Sequence, residues 1–242
     1  MVLTKIWLIP IAYGICAISA TATKYLFVSL LQKNPTFLPF INHKDASLFG
    51  ECVFAHLVTY SAFLLILVIY LRHRQTVEYY AHRLKWENSL WRTASTVISG
   101  IGFLTAICVT VIAHCEDPEL ALIHDLADTI AFSTGLAYAW AQAILTFSLI
   151  PRMCTLPVCL FRFLIVLLET ATFIFYRIAK TAAAKTYPDW ALEASLWTIS
   201  VCFHVFIITF FIELRFSYLH SPKVVFVRTV EQDNYENLLE NE

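Results

Sequence analysis

The sequence has few charged residues: Lys, Arg, Asp and Glu together make up 14% of its 242 residues, whereas hydrophobic residues make up 59%. This shortage excludes an ordinary water-soluble surface, for which about a quarter of all residues are usually charged. The formal net charge is -1, so the basic excess typical of nucleic-acid-binding proteins is absent as well. We therefore expect an all-α polytopic membrane protein whose partners are membrane lipids or membrane and adaptor proteins, with no nucleic acid.

No Cys-x-x-Cys spacing occurs among the seven cysteines, which argues against a zinc ribbon and a redox motif. The odd number also argues against a regular disulfide framework, and we expect neither a metal nor a cofactor. One pair, Cys52 and Cys115, is a possible disulfide because the topology described below places both near the non-cytosolic surface, where oxidation is permitted. Free thiols are the alternative, since only geometry decides between the two states.

Long polar linkers and low-complexity stretches are lacking too, which indicates a single domain. A helix needs ~20 mostly apolar residues to cross a bilayer, because every backbone polar group must be satisfied within the segment. A tail over 215–242 is acidic enough to remain disordered. The rest, 1–214, predicts a six-transmembrane-helix bundle, with helices at about 6–31, 48–71, 94–113, 120–150, 158–178 and 191–214.

The first predicted helix also has the features of a secretory signal peptide. Lys5 precedes an apolar run, and Ala20-Thr21-Ala22 fits a cleavage site for small residues. The apolar character resumes from Tyr25 to Leu31, which makes the stretch too long for a typical signal core. We therefore expect a retained transmembrane helix.

Basic residues predict the orientation of the bundle. The loop between the third and fourth helices contains no Lys or Arg, whereas the segments on the opposite side contain most of them. The positive-inside rule places the basic set in the cytosol together with both termini. The basic set comprises Lys5, Arg72, Arg74, Arg83, Lys85, Arg92, Arg152, Arg162, Arg215, Lys223 and Arg228.

Several short motifs carry a family resemblance. Phe37-Leu38-Pro39-Phe40-Ile41 lies in the first non-cytosolic loop and is followed by Glu51, Phe54 and Ser61-Ala62-Phe63, while His124-Asp125 opens the fourth helix. These motifs resemble those of the DRAM (damage-regulated autophagy modulator) family, within the wider Frag/DRAM/Sfk group of six-spanning membrane proteins. The resemblance implies a lysosomal or endosomal membrane protein that promotes autophagy.

The sequence departs from the family pattern at two places. The family usually continues its loop motif with Ser-Asp-Thr-Gly, whereas Asn42-His43-Lys44-Asp45 stands here. Leu126 and Ala127 follow the His-Asp pair where small residues are expected. Relatives in the wider group act at the plasma membrane or in GPI-lipid remodelling, so both alternatives stay open.

A group of ionisable residues maps near the non-cytosolic ends of three helices. Because charges at membrane depth are costly, such residues are functional candidates. Three interpretations compete: a polar clamp between helices, a binding site for a lipid headgroup or small solute, and a metal or catalytic site. No His-x-x-x-His or His-Glu-x-x-His spacing supports the last. The group comprises Lys24, Glu51, His124, Asp125 and Asp128.

Two further ionisable residues lie within predicted helices. Glu169 is near the middle of the fifth helix and His204 is in the body of the sixth, so we expect them to face a shared internal cavity. A structural hydrogen bond is one interpretation of the pair. Proton sensing in an acidic compartment is the other, because burial perturbs the titration of both groups.

The tail contains a candidate sorting motif, Tyr235-Glu236-Asn237-Leu238. Adaptor proteins read a tyrosine and an aliphatic residue at this spacing in extended peptides, with one pocket for each side chain. Cytosolic placement of the tail is required for such recognition. Tyr235 and Leu238 therefore indicate endolysosomal sorting.

The leading hypothesis is a non-enzymatic DRAM-like regulator of the endolysosomal membrane that supports autophagy through lipid or protein partners. One alternative is a lipid-remodelling or headgroup-binding factor, related to GPI or phosphoinositides, that uses Glu51, His124 and Asp125. A transporter or channel subunit is another alternative, although the sequence has no paired broken helices or internal repeat. The plasma membrane is the alternative location.

Overall fold

The computed structural model describes residues 2–3, 5–31, 48–78, 90–115, 118–148, 155–181, 187–217 and 219–220. A short 3-10 turn, Pro118–Leu120, precedes the fourth helix, and a short helix α7, Phe211–Leu214, follows the sixth. The six long helices within these ranges are α1 Leu8–Leu31, α2 Leu48–Val77, α3 Leu90–His114, α4 Ala121–Ser148, α5 Leu156–Thr181 and α6 Asp189–Ile208. The predicted all-α membrane bundle is confirmed.

Five stretches of the described chain are long and apolar enough to cross a membrane: Gly50–Val77, Leu90–His114, Ala121–Ser148, Leu156–Thr181 and Trp190–Leu214. The helix α1 has 24 residues, which at about 1.5 Å per residue also exceeds the hydrocarbon thickness. Its charged residue, Lys24, is buried inside the bundle.

The pairing of two short strands indicates that the chain crosses the membrane an even number of times. The strand β1, Val2–Leu3, pairs antiparallel with β2, Leu219–His220, with Val2 opposite His220. The segments before α1 and after α7 therefore lie on the same side of the membrane. Because an even number of crossings is needed, we infer that α1 crosses as the sixth span.

The helices form a ring in sequence order. Each long helix packs against its neighbours in the chain, and α6 packs back against α1 to close the ring. Side-chain hydrogen bonds join neighbouring helices: Thr105 Oγ1 donates to Thr134 Oγ1 at 2.8 Å, and Trp140 Nε1 donates to Thr170 Oγ1 at 2.9 Å. Such bonds matter in a bilayer, where hydrophobic association between helices is weak.

Small residues bring α3 and α4 close together. Buried positions on α4 recur every fourth residue, which places them in one stripe along the helix, and α3 presents small buried residues to the bundle in the same way. Small side chains allow helix backbones to approach closely in membranes. The stripe on α4 consists of Ala127, Ala131, Gly135, Ala139 and Ala143.

The sixth span is interrupted near the end that carries β2. A continuous helix was predicted to Leu214, but α6 ends at Ile208 and α7 begins at Phe211. Thr209 occupies the break: its hydroxyl donates to the Phe206 carbonyl at 2.6 Å and accepts from Arg162 Nε at 2.8 Å. Threonine hydroxyls also bond to the preceding turn within the unbroken α3 and α4, so the bond to Phe206 alone does not account for the break.

We predict that Gly102→Ala destabilises the bundle by about 1–3 kcal/mol, the usual range for an overpacked core. A Cβ atom there would lie 2.9 Å from both Ile69 Cδ1 and Tyr138 Cδ2. The measurement is unfolding in detergent micelles. Gly100→Ala is the matched control, because nothing lies within 4 Å of its added Cβ, and it should be neutral or stabilising by up to about 1 kcal/mol. Equal behaviour of the two variants would contradict this account of helix packing.

Candidate functional site

A cavity of about 180 Å³ lies inside the ring, in the half of the bundle opposite β1 and β2. All six long helices contribute to its wall, which is mostly aliphatic and aromatic. Among the described residues, four ionisable side chains line it: Lys24, Asp128, Glu169 and His204. An apolar pocket with a few polar groups is the usual form of a site for a small molecule.

The outer end of the cavity contains Lys24 and Tyr25, both from α1. The Lys24 side chain is buried, and its Nζ lies 4.5 Å from the centroid of the Phe54 ring, so a cation–π contact holds it. Tyr25 is 44% exposed although it lines the cavity. The outer end therefore reaches the surface of the bundle.

Asp128 enters the wall of the cavity from the second turn of α4. Its side chain is buried, whereas Asp125, one turn earlier, is exposed and lies 3.6 Å from Lys180 Nζ. The residues Glu51, His124 and Asp125 are not part of the wall. Of the predicted polar group, Lys24 and Asp128 thus line the cavity, whereas the other three residues do not.

The inner end of the cavity is formed by Glu169 and His204, which the structure places in one wall as the sequence predicted. His204 is engaged on both ring nitrogens: Nδ1 lies 2.6 Å from Tyr13 Oη, and Nε2 lies 3.3 Å from Ser200 Oγ. The Glu169 carboxyl is 2% exposed, and its Oε2 has no hydrogen-bond partner among the described residues.

The possible disulfide between Cys52 and Cys115 does not form, and both residues have free thiols. Cys52 lies on an exposed face of α2, where its Sγ is 3.6 Å from Nδ1 of His56, one turn further along the same helix. Cys115 follows the last turn of α3. Both residues lie near the same end of the bundle, and no disulfide joins their sulfur atoms.

A second polar cluster lies at the end of the ring nearest β1 and β2. Glu213 Oε2 is 2.7 Å from Arg72 Nη1, and Glu213 Oε1 is 2.8 Å from Arg162 Nη1. Both arginines are 0% exposed and Glu213 is 2% exposed. A carboxylate from α7 is therefore held between guanidinium groups from α2 and α5, away from solvent.

Other side chains complete the coordination of this cluster, which we call the arginine clamp. Thr146 Oγ1 accepts from Arg72 Nη2 at 3.1 Å and from Arg162 Nη1 at 3.0 Å. The Phe210 ring lies between the two guanidinium groups, 5.2 Å from Arg72 Cζ and 4.7 Å from Arg162 Cζ. Buried ions need such additional partners to offset the loss of hydration.

From the sequence, Arg72 and Arg162 contribute only to the basic set that predicts the orientation of the bundle. A signal for the clamp was present, because Arg162 and Glu213 fall inside the predicted fifth and sixth helices. Charged residues within a span usually pair with one another or line a functional site. The pairing itself joins residues far apart in the chain, so no local pattern encodes it.

Across the ranges that the structure describes, no group of three or more His, Cys, Asp or Glu side chains is placed to hold a metal ion. The loop motif Phe37–Ile41 and the tail residues Tyr235 and Leu238 lie outside the described residues.

These features define a polytopic α-helical membrane protein with an internal, largely apolar cavity. The chain belongs to the Frag1/DRAM/Sfk1 family: the family model described as "Frag1/DRAM/Sfk1/Cwh43P N-terminal domain" matches residues 5–217. The resemblance to the DRAM family is therefore confirmed.

Individual relatives are more distant. DNA damage-regulated autophagy modulator protein 2 of Rattus norvegicus is 24% identical over 159 residues, which cover 66% of this chain and 58% of the relative. The protein of the same name from Homo sapiens is 23% identical over 145 residues, 60% of this chain and 53% of the relative. The matches thus span little more than half the length of these relatives. No solved structure matches the chain.

We predict that Glu213→Gln destabilises the bundle by about 3–5 kcal/mol, the usual cost of removing one partner from a buried ion pair. The substitution keeps the shape of the side chain but leaves two guanidinium groups without their shared carboxylate. Unfolding in detergent micelles measures the effect. Asp125→Asn is the matched control, because its ion pair with Lys180 is exposed and exposed pairs contribute little. A Glu213→Gln loss no larger than that of the control would contradict a stabilising role for the clamp.

Proposed function

We propose that this chain is a non-enzymatic, DRAM-like regulator of the endolysosomal membrane that supports autophagy by binding an apolar membrane ligand, and through it protein partners. The observation that carries the proposal is the internal cavity, whose wall comes from all six long helices. Because every helix contributes, occupancy of the cavity changes the packing of the whole ring. A ligand can shift a conformational equilibrium only through such differential contacts.

The autophagy role and the compartment are carried over from the family. The relatives are named autophagy modulators, and the family model covers the membrane-spanning part of this chain. We place both termini in the cytosol because the basic residues of the sequence concentrate on that side. The pairing of β1 with β2 supports a common side for the two ends.

The cavity also bears on the choice between a regulator and a lipid-remodelling enzyme. The enzyme hypothesis needs Glu51, His124 and Asp125 to act together on one headgroup. None of these three lines the cavity, and Asp125 is instead close to Lys180. This distribution supports ligand binding without chemistry.

We predict that filling the cavity impairs autophagy. Ala131 is buried in the cavity wall, so Ala131→Leu places extra carbon atoms where the ligand would lie. In cells that lack this chain, the variant should restore the turnover of autophagic substrates less than half as well as the original sequence, at equal abundance in the endolysosomal membrane. Degradation of long-lived proteins during starvation is the measurement.

The matched control for this prediction is Ala137→Leu, which makes the same change at an exposed position of α4. It should act like the original sequence. Full activity of Ala131→Leu would show that the cavity is not needed. Normal autophagy in cells without the chain would remove the proposed role altogether.

We predict that sorting depends on the tail motif. Tyr235→Ala and Leu238→Ala each remove a side chain that an adaptor pocket would bury, and the protein should accumulate at the cell surface at least about twofold. Surface biotinylation measures the shift. Asn237→Ala changes a spacer residue and should leave the distribution as it was. An unchanged distribution in all three variants would rule out the motif as the sorting signal.

A further inference from the structure

Glu169 lines the cavity, and one of its carboxyl oxygens has no hydrogen-bond partner among the described residues. It lies near the middle of α5, is 2% exposed, and lines the cavity. Its Oε2 is buried without a hydrogen-bond partner among the described residues. Because a buried polar group without a partner costs free energy, a carboxyl oxygen left in this state indicates a ligand that donates to it.

The polar side chains around Glu169 make no hydrogen bond to its Oε2. Tyr13 and Cys202 lie close enough to interact electrostatically with Glu169. The Tyr13 hydroxyl is instead 2.6 Å from Nδ1 of His204, and the other ring nitrogen of His204 is 3.3 Å from Ser200 Oγ. The hydrogen bonds of Tyr13, His204 and Ser200 thus run among themselves and leave Oε2 open to the cavity.

The cationic side chain of the cavity lies at the opposite end. Lys24 follows Tyr13 by eleven positions on α1, which corresponds to about 16 Å along the helix. Its Nζ is placed over the Phe54 ring. The inner end of the cavity therefore combines an acceptor with apolar walls and is remote from the lysine.

The size of the cavity limits the ligand. Its volume of about 180 Å³ is close to the roughly 150 Å³ of an apolar cavity that holds one benzene molecule. A whole phospholipid or a sterol ring system does not fit such a space. A single alkyl chain or one aromatic ring does, and the exposed fraction of Tyr25 marks the end from which it would enter.

We propose that the cavity binds a lipophilic primary amine, whose ammonium group donates to Glu169 Oε2 while its apolar part packs against Phe132, Leu196 and Phe203. All three residues line the cavity. This inference rests on the proposed function, because it names the chemical class of the ligand that the regulator binds.

The choice of an amine follows from charge. An ammonium group offers three donors and a positive charge, and a charge-assisted hydrogen bond to a carboxylate is stronger than a neutral one. An alcohol of the same length offers one neutral donor. A carboxylate of the same length offers no donor to Glu169 Oε2, and it would repel Glu169 in its ionised form.

The test compares octylamine, octan-1-ol and octanoate as probes of the purified full-length protein in detergent micelles. Thermal unfolding is followed by the reactivity of the Cys108 and Cys159 thiols, which are buried in the folded bundle. A ligand of the folded state raises the unfolding temperature with concentration. Octylamine should stabilise the protein at concentrations at least about tenfold lower than either of the other probes.

Two variants assign the effect to the carboxyl group. Glu169→Gln should weaken the response to octylamine at least about tenfold, whereas Asp125→Asn, a carboxyl-to-amide change outside the cavity, should retain it. Equal stabilisation by octylamine and octan-1-ol, or an unchanged response of Glu169→Gln, would overturn the proposal. If Glu169→Gln does not fold, the proposal is tested by the original sequence alone, through the concentrations at which the three probes raise its unfolding temperature.

The binding experiment is independent of the cellular one. Absence of selective amine binding, with autophagy still impaired by Ala131→Leu, would reject the ligand class and leave the proposed function in place. Selective amine binding, together with normal autophagy in cells without the chain, would support the ligand class and reject the proposed function.

Discussion

The structure depends on one buried carboxylate, that of Glu213, which lies between the guanidinium groups of Arg72 and Arg162. Three charges removed from water are stable only together, because each compensates the lost hydration of the others. The contact joins α2 and α5 to the segment after α6, while Thr146 adds α4. Four parts of the chain are thus held at one end of the ring by interactions that cannot be exchanged for water within a bilayer.

This clamp accounts for the end of the sixth span. Thr209 accepts from Arg162 and donates to the Phe206 carbonyl, so the same arginine that binds Glu213 also binds the residue at the helix break. The short α7 that follows places both Glu213 and the Phe210 ring beside the guanidinium groups. Arg162 therefore connects the break in the sixth span to the clamp.

The two ends of the bundle differ in how the space between the helices is occupied. At the end of the ring nearest β1 and β2, charged side chains pair with one another between the helices. At the opposite end small residues such as Ala20, Ala113 and Ala131 line the cavity, and they are too short to fill the space. Among the described residues, Glu169 and Tyr138 each have a buried oxygen without a hydrogen-bond partner, and of these two only Glu169 lines the cavity. The charged end can hold the ring together while the cavity stays open to the proposed ligand.

Membership in the Frag1/DRAM/Sfk1 family covers nearly all of the described bundle. Identity to individual relatives is low, so the roles of single residues cannot be transferred from them. The geometry of the cavity and the arginine clamp supplies what the relationship does not: specific side chains with defined partners.

The sequence by itself determined the membrane environment, the six long helices and the presence of ionisable residues within them, because these properties depend on local composition and on the length of apolar runs. It also placed Glu169 and His204 within membrane-spanning helices, where a shared internal cavity was a hypothesis. Only the tertiary structure decided which polar residues face inward. Asp125 and Asp128 are one turn apart on α4, yet one is exposed beside Lys180 and the other is buried in the cavity wall. The rotation of a helix about its own axis determines which of two such neighbours faces the cavity. Packing against the other helices sets this rotation. For the same reason the pairing of Arg72 and Arg162 with Glu213, far away in the chain, could not be read from the sequence.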